Sequence, residues 1–298
     1  MAFVTTGLTN GGVTTHYSFL YDDSLAAPAG PEPARTNAVI AACENDYNLM
    51  SGWFGGGINV TGMTVQVTAQ RNGGSWNGTT TASTIQLNAE GADYSNDPAY
   101  LRYLIVAEVT EIFMMGQDIG WFQHNDEGSK GEGLSRFLSG QFLVQNGFLG
   151  RGIEKDYSVA GLWLNSPRQD FINNAPDDNG YNATNGCTTL FIYYLFNQLG
   201  FSIAQIVAAG ACTLAGVYQN LKRDTGDPFP QFKGLLDNAY PPIAVRGTNP
   251  DDPWPIATPS GAARVGPTLG QQTPQQAGGG KTVLKRPSGV GEIGKQSG

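Results

Sequence analysis

Two glutamates three residues apart, Glu108 and Glu111, stand inside the most apolar stretch of the chain, between Leu104 and Met115. At that spacing both side chains leave the same face of a helix. Two carboxylates side by side in an apolar setting repel. The pair must take up a proton, hold a cation, border a solvent-filled cleft or be met by positive side chains. Arg102 and Arg136 are the nearby residues able to neutralise it. A further carboxylate, Glu132, lies in Gly131-Glu132-Gly133-Leu134-Ser135, and His124, one of only two histidines, lies between the two segments.

The elements that must position these residues can be read from the flanking pattern. Asp97 is a good helix cap and Pro98 a good first helical residue, so a buried helix over about Tyr100–Gln117 is expected. A second helix follows over Glu132–Gln145. Upstream, His16–Asp22 reads as a strand, Ala34–Met50 as a helix, and Met63–Gln70 and Ser83–Asn88 as strands. The Gly- and Asn-rich Arg71–Gly78 reads as the turn that joins these two strands into a hairpin. Downstream, Cys187–Leu199 and Ile203–Gln219 carry helical spacing. Strands first and helices after them predict an α+β domain, a small mixed sheet with a hairpin followed by packed helices.

The two central helices together resemble the gluzincin branch of the zincin metallopeptidases. Those enzymes carry HExxH on a buried helix, then a second helix with a Glu-Gly signature whose Glu is the third zinc ligand. Here the corresponding frame is Ala107-Glu108-Val109-Thr110-Glu111, followed by Gly131-Glu132-Gly133-Leu134-Ser135. The resemblance implies a zincin-like fold, with Glu108 matching the general base and Glu132 the third ligand. Ala107 and Glu111 replace the two ligand histidines. Ala107 has no donor atom, so no intact zinc site is expected. A divalent cation would have to rest on Glu111, Glu132 and His124.

Charged residues make up only 14% of the 298 residues and the net charge is −8, which argues against nucleic-acid binding, since phosphates need a basic face. No apolar run is long enough for a membrane span. The opening MAFVTTGLTN has neither a basic nor an apolar signal region, so the expected location is the cytoplasm, or export by a route without a cleavable signal. Cys43, Cys187 and Cys212 show no metal-binding or paired spacing and are expected as free thiols, mostly buried. Asp177-Asp178-Asn179-Gly180 lacks the closing Glu of a calcium loop, and Gly278–Thr282 lacks the strand that a phosphate-binding loop requires.

Composition changes after Arg246. Residues 247–298 hold 11 Gly and 7 Pro, too few apolar groups to offset the entropy of ordering. The expected organisation is a zincin-like domain over 1–246 and an extended tail over 247–298 that contacts other protein subunits, identical or different. Three functions follow as expectations. The first is a pseudopeptidase domain serving as a structural or binding component of a larger assembly through its tail. The second is a metal-dependent, peptidase-like hydrolase with Glu108 as general base. The third is a small-molecule or carbohydrate-binding module, for which the hairpin residues Asn72, Trp76 and Asn77 supply suitable side chains.

Overall fold

The structure, a computed structural model, describes residues 7–26, 28–71, 73–90, 96–123, 127–174, 176, 182–240 and 251–256. The architecture is mixed α+β. Five strands form one sheet among the described residues: β1 (Leu8–Val13), β2 (Tyr17–Asp22), β3 (Met63–Arg71), β4 (Gly73–Thr79) and β5 (Ala82–Glu90), in the order β1-β2-β3-β5-β4. β2, β3 and β5 run parallel, while β1 and β4 are antiparallel strands at the two edges. Period-two alternation puts Met63, Val65, Val67, Ile85 and Leu87 on the buried face.

Helices α1 (Ala34–Trp53) and α2 (Pro98–Gln117) cover that face. Phe113 of α2 meets Tyr47 at 5.6 Å and Phe54 at 5.2 Å between ring centroids. Arg102 crosses from α2 to Asp46 of α1 with two bonds of 2.7 Å. It is therefore engaged with Asp46 rather than with the Glu108–Glu111 pair. α2 begins as expected, with the Asp97 carboxylate accepting the Ala99 N–H at 2.9 Å. From Ala99 to Met114 every residue but Arg102 is buried, so this is the central helix of the domain.

Behind α2 lie α3 (Gly128–Gln145) and then α6 (Ala183–Tyr193), flanked by the short α4 (Ile153–Asp156) and α5 (Ala160–Leu164). α3 and α6 approach closely at Gly133, where a Cβ would lie 2.6 Å from Thr188 Oγ1. α6 runs into a π-helical turn, Tyr194–Gln198, and is followed by α7 (Ile203–Ala208), α8 (Leu214–Lys222) and α9 (Phe229–Ala239). No helix among the described residues is long and apolar enough to cross a membrane.

Three local expectations change. Arg71–Gly78 is not a turn: β4 occupies Gly73–Thr79 and pairs with β5, so the hairpin is β4–β5, and β3 and β5 are parallel neighbours. Gly74 serves close packing against α2 rather than chain reversal. The single helix expected over Ile203–Gln219 is two, since Thr213 Oγ1 accepts the Gly216 N–H and starts a new helix. Finally, residues 251–256, on the tail side of the composition change, pack against the domain and bury Trp254.

Candidate functional site

The carboxylates meet where α2, α3 and the edge strand β4 converge. Glu108 and Glu111 do share one face of α2, and both are buried. Glu108 presses against β4, where a Cβ on Gly74 would collide with its Oε1. Glycine at that position is what lets the strand run over the helix. Two residues along the strand, Trp76 turns inward and donates its indole N–H to Glu111 Oε2 at 2.8 Å. The other oxygen, Glu111 Oε1, accepts the Ser135 hydroxyl from α3 at 3.1 Å.

Glu132, one helical turn before Arg136 on α3, forms an ion pair with it at 2.7 Å. The Arg136 guanidinium also donates to the Tyr157 carbonyl at 3.1 Å. Tyr157 in turn shares a 2.7 Å hydroxyl contact with Tyr100 of α2, and the Tyr100 oxygen accepts the Gly73 N–H at 3.3 Å. The edge strand, both helices and the segment after α3 are thus tied into one polar network inside an apolar shell. Burial pushes the neighbouring Tyr103 phenol well above its ordinary range, against the opposing pull of Arg136.

The structure brings Glu111 and Glu132 together and adds Glu127, which the sequence reading missed. One carboxylate oxygen from each of the three lies within 4.8 Å of the others, and all three residues are buried. Glu108 stands outside this group, against Gly74. His124 lies outside the described residues. Glu127 immediately precedes α3 and is fully buried, with Lys130 in the first turn directing its ammonium toward the Glu127 carbonyl at 3.5 Å. The overlooked signal was the buried helix start at Gly128, four residues before the expected one. Trp76 was hidden by the turn-like composition around it.

A zinc site does not fit these residues. Ala107 supplies no donor, Glu111 carries an indole and a hydroxyl on its two oxygens, and Glu132 is paired with a guanidinium. Three close carboxylates suit a hard, oxygen-seeking cation better. The buried Trp76 indole offers no exposed stacking face for a sugar ring.

Cys43 and Cys187 are buried free thiols and Cys212 is exposed. Burial pushes the Cys187 thiol well up, away from nucleophilic chemistry. His16 bonds Glu44 at 2.6 Å and stacks on Tyr47 at 3.6 Å, both residues of α1. The Asp177–Gly180 and Gly278–Thr282 segments lie outside the described residues. In comparisons with known proteins the chain matches no family model, no curated protein and no solved structure.

Proposed function

We propose that residues 1–246 form a zincin-like pseudopeptidase domain without hydrolytic chemistry, and that the chain serves as a structural component of a larger protein assembly joined through its C-terminal segment. The observation that carries the reading is how the central carboxylates are engaged. Glu111 is met by Trp76 and Ser135, and Glu132 by Arg136. Ala107 stands where the zincin pattern has its first histidine. Groups held by internal partners in an apolar shell contribute to the packing of three elements, and a metal-bound water would have to displace those partners.

A second reading rests on one observation, the approach of Glu111, Glu127 and Glu132 within 4.8 Å. On that reading the chain is a divalent-cation-dependent hydrolase with Glu108 as general base. Three measurements separate the two. Native protein is dialysed, its metal content determined by elemental analysis, its mass by light scattering, and its action on a denatured protein substrate recorded beside that of Glu108→Gln. The first reading expects no stoichiometric metal, a mass above that of one chain, and no hydrolysis in either protein. A stoichiometric metal with hydrolysis that disappears in Glu108→Gln sinks it.

A further inference from the structure

Residues 251–256, Asp-Asp-Pro-Trp-Pro-Ile, lie in a groove of their own chain formed by α5, α6, the π-helical turn and α9. The Trp254 indole is 2% exposed, donates to the Leu190 carbonyl at 3.0 Å, and packs against the rings of Tyr194 and Phe232. Gln198 reads the backbone of Ile256 in both directions, accepting its N–H at 2.8 Å and donating to its carbonyl at 3.1 Å. Three groove residues, Tyr194, Asn197 and Gln198, belong to the π-helical turn, a rare feature that frequently accompanies functional sites. The link 241–250 starts beside the groove, because Arg168 holds the Tyr240 carbonyl and lies 6.0 Å over Trp163, which stacks on Phe232 at 5.5 Å. Ten extended residues reach about 33–36 Å, ample for closure onto the same molecule.

The segment carries two carboxylates in succession, and both enter the groove. Asp251 Oδ1 accepts bonds from Ser158 Oγ at 2.9 Å, Val159 N at 2.9 Å and Ala160 N at 2.7 Å. Asp252 accepts one from the Asn197 side-chain amide and one from the Trp254 N–H at 3.3 Å. All of these donors are neutral. The positive field on Asp251 comes from Arg136 of α3, whose guanidinium is paired with Glu132. On α9, Lys233 and Asp237 bind each other, and Asp237 also binds Arg168. The phenols around the two carboxylates, Tyr103, Tyr193, Tyr194 and Tyr240, are kept neutral by burial. Docking therefore takes two adjacent negative charges out of water without an ion-pair partner among the described residues. One proton removes their repulsion and half of the buried charge.

We infer that residues 251–256 are a proton-operated clasp on their own domain: the segment takes up a proton as it docks and releases it as it leaves, so acid closes the clasp and a rise in pH loosens it. The inference stands apart from the assembly reading. Burial pushes the Asp252 carboxyl up to about 6 and raises Asp251 as well, against the bonds that each accepts. A carboxyl raised in the docked state favours docking fully below the ordinary carboxylate range, and that advantage is lost as pH rises through about 6. Closed, the clasp secures the chain at Ile256. Open, the last secured residue of the described chain is Tyr240.

Hydrogen exchange of the indole N–H groups in the full-length protein tests this, each rate being divided by that of free indole at the same pH. Trp254 reports the clasp and is assigned with Trp254→Phe. Trp121, buried and donating to the Val207 carbonyl at 2.9 Å, reports the domain. The expected result is an opening constant at Trp254 about tenfold larger at pH 7 than at pH 5, with no matching change at Trp121. Asp252→Asn keeps an oxygen to accept both bonds and loses the charge. It is expected to protect Trp254 better than the wild type does at pH 7 and to shrink the pH effect. Equal protection of Trp254 at pH 5 and pH 7 overturns the proton operation. So does an Asp252→Asn variant that loosens Trp254 at pH 7 while Trp121 stays protected, since the bonds and not the charge would then govern docking. Trp121 and Trp254 opening in step would mean that the segment leaves only when the domain unfolds, and the clasp falls.

Discussion

Two buried tryptophan N–H groups, Trp76 and Trp254, are satisfied in opposite ways. Trp76 donates to the Glu111 carboxylate between long elements of the core, and the same network continues through Ser135, Glu132, Arg136 and Tyr157. Trp254 donates to the backbone carbonyl of Leu190, from a six-residue segment whose other polar contacts are confined to its groove. Loss of the first contact disturbs the joint of a strand and two helices. Loss of the second releases a segment from a surface. Polar chemistry of similar quality serves cohesion in one place and attachment in the other.

The largest expected effect lies in the core. Arg136→Ala leaves Glu132 buried without its ion-pair partner and removes a donor from the Tyr157 carbonyl. It is expected to lower unfolding stability by about 3–5 kcal/mol in urea titration. A loss below about 1 kcal/mol would mean that the network does not bind the elements together. Next comes the direct comparison of the two indoles. Trp76→Phe removes a bond to a charged group and is expected to cost about 1.5–3 kcal/mol of global stability. Trp254→Phe should leave the urea midpoint almost unmoved, while hydrogen exchange at Ile256 rises. Equal midpoint shifts would erase the distinction between cohesion and attachment.

The smallest effect is one of pH. Burial pushes the Asp252 carboxyl up to about 6, with neighbouring Asp251 adding to the shift and Asn197 opposing it. Asp251 is also raised by burial, against its three hydrogen bonds and the pull of Arg136. The docked segment therefore holds a proton more tightly than the free one. Docking strengthens as pH falls from about 6 toward the ordinary carboxylate range and weakens as pH rises through about 6, by at most about tenfold per unit for one proton. Trp254 fluorescence followed from pH 7 to 5 reads this directly, and Asp252→Asn should reduce its slope, leaving only the contribution of Asp251. A wild-type curve that is already flat would remove Asp252 from the docking equilibrium.

The central helix was legible in the sequence because its signals agree: a capping Asp97, a Pro98 and a run of apolar residues that only a buried helix accommodates. The core strands were legible through their alternation, but the parallel pairing of β3 with β5 was not, because the glycines between them read as a hairpin turn. β4 was not, since glycine usually signals a turn, whereas Gly74 is there to admit the Glu108 side chain. Within the site, Glu108 and Glu111 were visible from helical spacing, and Glu132 from the resemblance of its Glu-Gly motif to the zincin pattern. Glu127 shares no helical face with Glu132 and is brought near only by the way α3 begins. The docked segment left a faint trace, the one tryptophan in a stretch of Gly, Pro and Gln, which composition averages away.

The π-helical turn at Tyr194–Gln198 has a consequence of phase. Where an α-helix advances by about 100° per residue, a π turn fits an extra residue into the same rise and retards everything after it by that angle. Asn197 and Gln198 face the groove because of that lag. Loss of one residue from the turn would restore an ordinary helix and rotate both amides off the segment, with α6 before it unchanged. In the vocabulary of machines, the turn is the key slot of a shaft: a single extra tooth sets the angle at which the domain presents its grip.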